Sequence, residues 1–187
     1  MTQDKALTLL RDCGAFLHGH FLLSSGRHSD VYVEKFRLLE HPELTAQIAQ
    51  AIAEHFRGDK IELVVGPLTG GVLVAHEVAK ALKLPLAFPE RVDGKMEWRR
   101  GFQIRKNQRV LICEDVISTG LSVGEVVDAV KQQGGEVVGI GALIQRGETD
   151  LSPTPHAVVK LSLDSFAPED CPLCDKQIPL TKRGSRS

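Results

Sequence analysis

The sequence predicts an α/β fold, a parallel sheet flanked by helices with an accessory element at its N-terminal side. Three observations carry that expectation. From residue 61 onward, short apolar runs of strand character alternate with stretches of helical periodicity, and strands that alternate with helices become parallel neighbours joined by right-handed crossovers. Glycine-bearing turns stand between strand and helix at 66–71 and at 118–120, where a chain reverses from a sheet into a covering helix. The 187 residues are 42% hydrophobic, enough for one domain with a substantial core.

The elements follow in order. Ala6, Leu9, Leu10 and Cys13 recur at helical spacing and mark a first helix ending near Gly14. Phe21-Leu22-Leu23 and Val31-Tyr32-Val33 read as short extended segments around the turn Ser24-Ser25-Gly26-Arg27. Pro42 opens a second helix that faces Leu44, Ile48, Ile52 and Phe56 inward and is closed by Gly58. Then come strand 61–66, helix 71–82, strand 84–88, strand 110–114, helix 121–133, strand 137–144 and a last strand at 157–163. No internal repeat or low-complexity linker divides the chain, so residues 1–187 read as a single domain. Its parts are N-terminal helices and an accessory element at 1–60, an α/β core at 61–163 and a C-terminal tail at 164–187.

Charge and composition exclude several functions. Lys and Arg number 23 against 24 Asp and Glu, so no basic field invites nucleic acid. The longest apolar runs are too short to cross a bilayer. Met1-Thr2-Gln3-Asp4-Lys5 lacks a basic segment leading into an apolar one. The 4 cysteines do not make a disulfide scaffold, and a reducing, cytoplasmic setting is expected. Cys171-Pro172-Leu173-Cys174 is half of a metal-binding spacing, but a closed site needs four ligands. Cys13 lies in a helix and Cys113 in a core strand. The pair is therefore read as a tight turn in the tail rather than as a metal or redox site.

The most informative stretch is Arg109-Val110-Leu111-Ile112-Cys113-Glu114-Asp115-Val116-Ile117-Ser118-Thr119-Gly120. An apolar strand runs into two adjacent carboxylates, then into a hydroxyl-rich loop that opens onto a helix with Val123, Val126, Val127 and Val130 on one face. A loop feeding a helix N-terminus gathers backbone N–H groups at the positive end of the helix dipole, which suits a phosphate. Ser118, Thr119 and Ser122 add hydroxyl donors, and Gly120 permits close approach. Carboxylates would repel that phosphate, so Glu114 and Asp115 must face another part of the same ligand. Two acceptors in line match the vicinal hydroxyls of a sugar. A ribose carrying a 5′-phosphate satisfies both halves.

Other loops belong at the same carboxyl end of the sheet, where open α/β folds bind ligands. Gly66-Pro67-Leu68-Thr69-Gly70-Gly71 would turn backbone amides toward an anion. Arg146 follows the strand at 137–144 directly. Residues 90–101, rich in Arg and Lys (Arg91, Lys95, Arg99, Arg100), read as a hairpin turning at Asp93-Gly94, and as an arm that closes over a polyanion.

The 114–122 stretch resembles the phosphoribosyl-pyrophosphate (PRPP) motif of the type I phosphoribosyltransferases. Phe21-Leu22-Leu23-Ser24-Ser25-Gly26-Arg27-His28-Ser29, the loop at 66–71, the arm at 90–102 and Ala142-Leu143-Ile144-Gln145-Arg146 resemble, in that order, the signatures of the orotate phosphoribosyltransferase family. The likeness spans most of residues 16–147 and includes the hood over the base. It implies a type I phosphoribosyltransferase fold with an N-terminal hood. It also implies transfer of ribose 5-phosphate from PRPP to N1 of orotate, with orotidine 5′-monophosphate and pyrophosphate as products, in de novo pyrimidine synthesis. Mg²⁺ is expected as cofactor, held mainly by PRPP and water rather than by protein ligands. A homodimer is expected, with the 90–101 arm reaching the neighbouring active site, and neither nucleic acid nor membrane as partner.

The same resemblance assigns roles. PRPP would be bound by Arg91, Lys95, Glu114, Asp115, Val116, Ile117, Ser118, Thr119, Gly120, Leu121, Ser122, Gly70 and Gly71, with Lys95 and Asp115 as the catalytic pair. Ser118 and Arg146 would bind orotate, Arg146 as a fork on the carboxylate. Many bacterial members carry lysines where this chain has Ser24 and Gly70, which places it with a shorter subgroup. Two alternatives stay open at this point. One is a sister enzyme acting on another nucleobase, and the other is a regulatory protein of the same fold that senses PRPP or a nucleotide.

Overall fold

The computed structural model describes residues 1–23 and 25–183, so Ser24 lies outside the described residues. In chain order the elements are α1 (Gln3–Asp12), β1 (Phe16–Leu22), β2 (His28–Val33), α2 (Phe36–Leu39), α3 (Pro42–Phe56) and β3 (Leu63–Val65). They continue with α4 (Gly70–Leu82), β4 (Leu86–Ala87), β5 (Pro89–Val92), β6 (Lys95–Trp98), β7 (Arg109–Ile117), α5 (Leu121–Gln132), β8 (Glu136–Arg146) and β9 (His156–Leu161). A 3-10 turn at Pro168–Asp170, the one-turn α6 (Pro172–Asp175) and β10 (Thr181–Lys182) complete the described chain.

The expected parallel sheet is present, with strand order β4-β3-β7-β8-β9 and every pairing parallel. Side chains of β7 alternate between its two faces. Leu111 and Cys113 join Ile48, Ile52, Val74 and Val78 beneath α3 and α4, while Val110 and Ile112 join Val126 and Val130 beneath α5. α1 adds Ala6 and Leu10 to the first of these cores. α3 lies so close on β8 that a Cβ at Gly141 would come within 2.4 Å of Ile52.

Several boundaries differ from the sequence expectation, each for a reason of packing. β7 continues through both carboxylates to Ile117 instead of stopping at 114, because Glu114 pairs with Ala142 and Val116 with Ile144 along β8. Backbone pairing there overrides side-chain polarity. β8 likewise runs to Arg146, so this arginine ends a strand rather than beginning a loop. The N-terminal hairpin is longer than its apolar residues suggested, since β1 begins at Phe16 and crosses the polar His18-Gly19-His20. α2 was not legible as a separate turn.

The tail is fastened to the hood. β10 pairs in parallel with β1, matching Phe21 to Thr181 and Leu22 to Lys182. Phe166 and His28 exchange backbone hydrogen bonds of 2.8 and 2.9 Å. Arg27 donates to the Ser165 hydroxyl at 2.8 Å, and Ser29 Oγ donates to the Asp164 carbonyl at 2.8 Å.

Candidate active site

In the order β4-β3-β7-β8-β9 the chain winds outward in both directions from the β3–β7 pair. The loops after these two strands therefore diverge and leave a crevice at their carboxyl ends, the place where such sheets bind ligands. A cleft of about 370 Å³ occupies it, walled by the loop after β3, by Glu114 and Asp115 at the end of β7, by residues 118–123, and by Lys35.

The two carboxylates are buried, Asp115 at 2% relative exposure and Glu114 at 7%. Asp115 Oδ2 stands 2.8 Å from Lys35 Nζ, whose distance to Oδ1 is 3.1 Å. The contact at Oδ2 is an ion pair without hydrogen-bond alignment, which leaves that oxygen an acceptor with capacity to spare. Oδ1 also accepts from the Val116 amide. Glu114 Oε1 accepts from the Asp115 amide at 3.0 Å. Burial raises the Glu114 carboxyl well above the ordinary range, and the neighbouring Asp115 charge raises it further. Burial works against the charge on Lys35, but Asp115 outweighs that and leaves its ammonium harder to deprotonate than usual.

Both carboxylates rest on the first turn of α4. A Cβ at Gly70 would fall 1.5 Å from Asp115 Oδ2, and one at Gly71 would fall 2.6 Å from Glu114 Oε1. The Gly-Gly pair is thus required by the acids themselves. Gly70 borders the cleft, whereas Gly71 is buried and is not among the residues that line it. Gly71, read from sequence as a direct PRPP contact, lies against Glu114.

Gly120 takes a left-handed conformation (φ +78°) at the N-cap of α5 and offers no side chain to the first turn. The Leu121 amide donates to Thr119 Oγ1 at 3.4 Å, and a helix N-terminus of this kind suits an anion. Arg91, Val116, Ile117, Ser118, Thr119, Leu121 and Ser122 all line the cleft.

A second cleft of about 240 Å³ adjoins it, and Ser118 and Thr119 belong to both. Its far wall is the hood and tail, with Ser25, Ser29, Asp164 and Ser165, and its floor carries Arg146. Arg146 is half-buried, and burial pulls its guanidinium below its ordinary value. It makes no hydrogen bond or ion pair among the described residues. A planar cation held in that state fits a carboxylate.

The arm is a two-stranded hairpin turning at Asp93 and Gly94, whose φ values of +46° and +81° both lie in the left-handed region. That is the turn expected of an Asp-Gly hairpin. Trp98 Nε1 donates to the Ala129 carbonyl at 3.0 Å, and Arg91 pairs with Glu125, so the hairpin is seated on α5 of its own chain. Arg100 pairs with Glu90 across the hairpin. Lys95, the other expected catalytic residue, is exposed at the hairpin tip and is not among the residues lining its own cleft.

Sequence reasoning missed Lys35 and the hood–tail contacts, because only folding brings them to the motif. It also read Cys171 and Cys174 as lacking further ligands. That is corrected: the hood hairpin sets His20 and His28 beside both sulfurs.

Magnesium prefers about six oxygen ligands. Glu114 and Asp115 are the acidic side chains among the described residues lining the cleft, and Asp115 is already paired to Lys35. The protein therefore fits a cation carried in on a phosphate ligand better than one in a protein cage.

The Phosphoribosyl transferase domain family matches residues 36–175. The chain is 45% identical over 188 residues to the orotate phosphoribosyltransferase of Pelotomaculum thermopropionicum, covering 100% of this chain and 99% of that one. It is 42% identical to the enzyme of the same name from Desulforamulus reducens, covering 100% and 98%. Among solved structures, the orotate phosphoribosyltransferase from Aeropyrum pernix superposes with a TM-score of 0.71 at 27% identity, over 82% of this chain and 92% of that one. Matched by that family over residues 36–175 and by these relatives over its whole length, the chain belongs to the phosphoribosyltransferase family, in its orotate phosphoribosyltransferase branch.

Proposed function

We propose that this protein transfers ribose 5-phosphate from PRPP to N1 of orotate, releasing pyrophosphate and forming orotidine 5′-monophosphate in pyrimidine biosynthesis. The observation that carries the choice of base is Arg146, a half-buried guanidinium without hydrogen bond or ion pair among the described residues, on the floor of a cleft that shares Ser118 and Thr119 with the phosphate site. Orotate differs from uracil by one carboxylate, the group to which such an arginine donates two parallel N–H bonds.

The chemistry follows from charge. The 5′-phosphate sits on the amides at the start of α5, and the ribose hydroxyls donate to Glu114 and Asp115. As the bond from C1 to pyrophosphate stretches, positive charge develops on the sugar ring above the Asp115 carboxylate, with Glu114 holding the sugar beside it. Stabilisation is by fixed charge and positioning, with no covalent nucleophile. Mg²⁺, bound through the PRPP oxygens and water, supplies positive charge to the leaving pyrophosphate. Lys35 adds a cation on the same cleft, and in a homodimer Lys95 reaches the leaving group from the neighbouring subunit's arm. A cytoplasmic location accords with this reading.

Direct assay of orotate, uracil, adenine and hypoxanthine with Mg-PRPP tests the proposal. Orotate alone should yield a nucleotide. Efficient use of another base would make this a sister enzyme, and PRPP binding without turnover of any base would make it a sensor.

A further inference from the structure

Outside the cleft, four side chains converge that the proposed reaction does not use. His20 and His28 project from the two strands of the hood hairpin, and Cys171 and Cys174 flank Pro172-Leu173 at α6. One donor atom from each lies within 4.8 Å of all the others. His20 Nε2 is 2.9 Å from His28 Nδ1 and 3.5 Å from Cys171 Sγ, and Cys174 Sγ is 3.8 Å from His20 Nε2 and 3.4 Å from His28 Nδ1.

We propose that His20, His28, Cys171 and Cys174 form a structural zinc site that clamps the C-terminal tail to the hood and thereby fixes one wall of the base cleft. Zinc bonds of about 2.05 Å to nitrogen and about 2.3 Å to sulfur, set tetrahedrally, require nitrogen–sulfur separations of about 3.6 Å. The three nitrogen–sulfur separations, 3.4 to 3.8 Å, bracket that value, and the two imidazole nitrogens, 2.9 Å apart, would open to about 3.3 Å around the ion. Two thiolates with two imidazoles are a donor set suited to Zn²⁺, and four protein ligands close the coordination sphere as structural sites do.

The surroundings fit a metal better than a plain polar cluster. His20 Nδ1 is 2.7 Å from the Ile178 carbonyl, which can only accept. Nδ1 therefore carries the proton, and the Nε2 lone pair is aimed at the cluster, the outer-sphere bond usual for a ligating histidine. Cys171, His20 and His28 are buried at 1%, 3% and 5% exposure, while Cys174 is exposed and gives the ion a way in. Binding would convert two thiols to thiolates, releasing two protons and changing no oxidation state.

The site also sits where it can matter. His28 immediately precedes Ser29, which borders the base cleft and bonds the Asp164 carbonyl. Phe166 pairs with His28 itself. Removing the ion would loosen the segment that carries Asp164 and Ser165. This consequence for the base rests on the proposed orotate reaction, whereas the metal site does not.

The test begins with the full chain, supplied with Zn²⁺, gel-filtered, and assayed for metal by mass spectrometry. About one zinc per chain should remain, and Co²⁺ in its place should show thiolate-to-metal charge-transfer and tetrahedral ligand-field bands. Cys174→Ser, at an exposed position that tolerates the change, should lose the zinc and the charge-transfer intensity, whereas Cys13→Ser should keep both. Cys174→Ser should also melt at a lower temperature and raise the KM for orotate severalfold, with little change in the KM for PRPP. Absence of retained zinc in the wild type, full retention in Cys174→Ser, or recovery of Cys171 and Cys174 as a disulfide would overturn the site. Zinc loss with an unmoved orotate KM would overturn its link to the base cleft. Because metal content is read without catalysis, failure of the zinc site and failure of the orotate assignment give different results.

Discussion

Lys35 Nζ and Asp115 Oδ2, 80 residues apart in the chain, meet at 2.8 Å on the wall of the cleft. Asp115 is almost wholly enclosed, whereas the Lys35 side chain keeps 34% of its exposure. The lysine is the partly solvated half of a pair whose acid is buried at the cleft wall. It is also a cation available to a ligand in the cleft.

Lys35→Met should therefore destabilise the fold and weaken PRPP use together. Asp115→Asn should weaken PRPP use on the order of tenfold to a hundredfold, from the loss of hydrogen bonds to a charged group. In stability, the double variant should lose less than the sum of the singles, with a coupling of about 0.5–3 kcal/mol. Thermal or urea unfolding of all four proteins measures it. Strict additivity would mean that the pair is a contact without energetic content.

Arg146→Ala should raise the orotate KM by roughly tenfold or more, the worth of a charge-assisted hydrogen bond, and leave the KM for PRPP nearly unchanged. Steady-state titration of each substrate distinguishes the cases. A fall in PRPP affinity with orotate affinity intact would move the carboxylate partner elsewhere.

Glu114 gives a pH signature. Its folded-state carboxyl lies well above the ordinary value, so the folded protein holds a proton that the unfolded chain has released. The stability this supplies is complete below the unfolded value, about 4.3, and is lost as pH rises toward the folded one. Glu114→Gln removes that loss. Its melting temperature, relative to wild type, should improve as pH rises above the unfolded value. A difference that is flat across this range would show that Glu114 ionises normally in the fold.

Lys95 is exposed on its own subunit, so its effect should appear in turnover and across a subunit boundary. Lys95→Ala should lower kcat far more than it weakens orotate binding, because the contact strengthens as pyrophosphate gains charge. Mixing Lys95→Ala with Asp115→Asn homodimers and allowing exchange makes about half the dimers hybrids, so roughly a quarter of all sites should regain activity. No recovery, with exchange verified, would place Lys95 in its own subunit's site or rule out a shared one.

What the sequence determined by itself was local and periodic. The alternation after residue 61 gave the parallel sheet, and the valines from Val123 to Val130 gave the inner face of α5. The run from Glu114 to Gly120 declared acids, hydroxyls and glycine in one strand-loop-helix passage, which is why this wall of the cleft was legible. Asp93-Gly94 announced its own turn. These signals are legible because each is written within one or two turns of chain.

Tertiary structure decided whatever depends on meetings between distant segments. β7 and β8 run several residues past their apolar cores because backbone hydrogen bonds along a shared ladder hold polar positions in register. Gly70 and Gly71 serve the carboxylates of β7, a requirement invisible until α4 is laid against that strand. Lys35 finds Asp115, and His20 and His28 find Cys171 and Cys174, only when the hood folds back over the sheet and the tail returns to it. No periodicity records such contacts, because the residues between them are free to vary in number and kind. The spacing of donor atoms is set in space by packing, not along the chain.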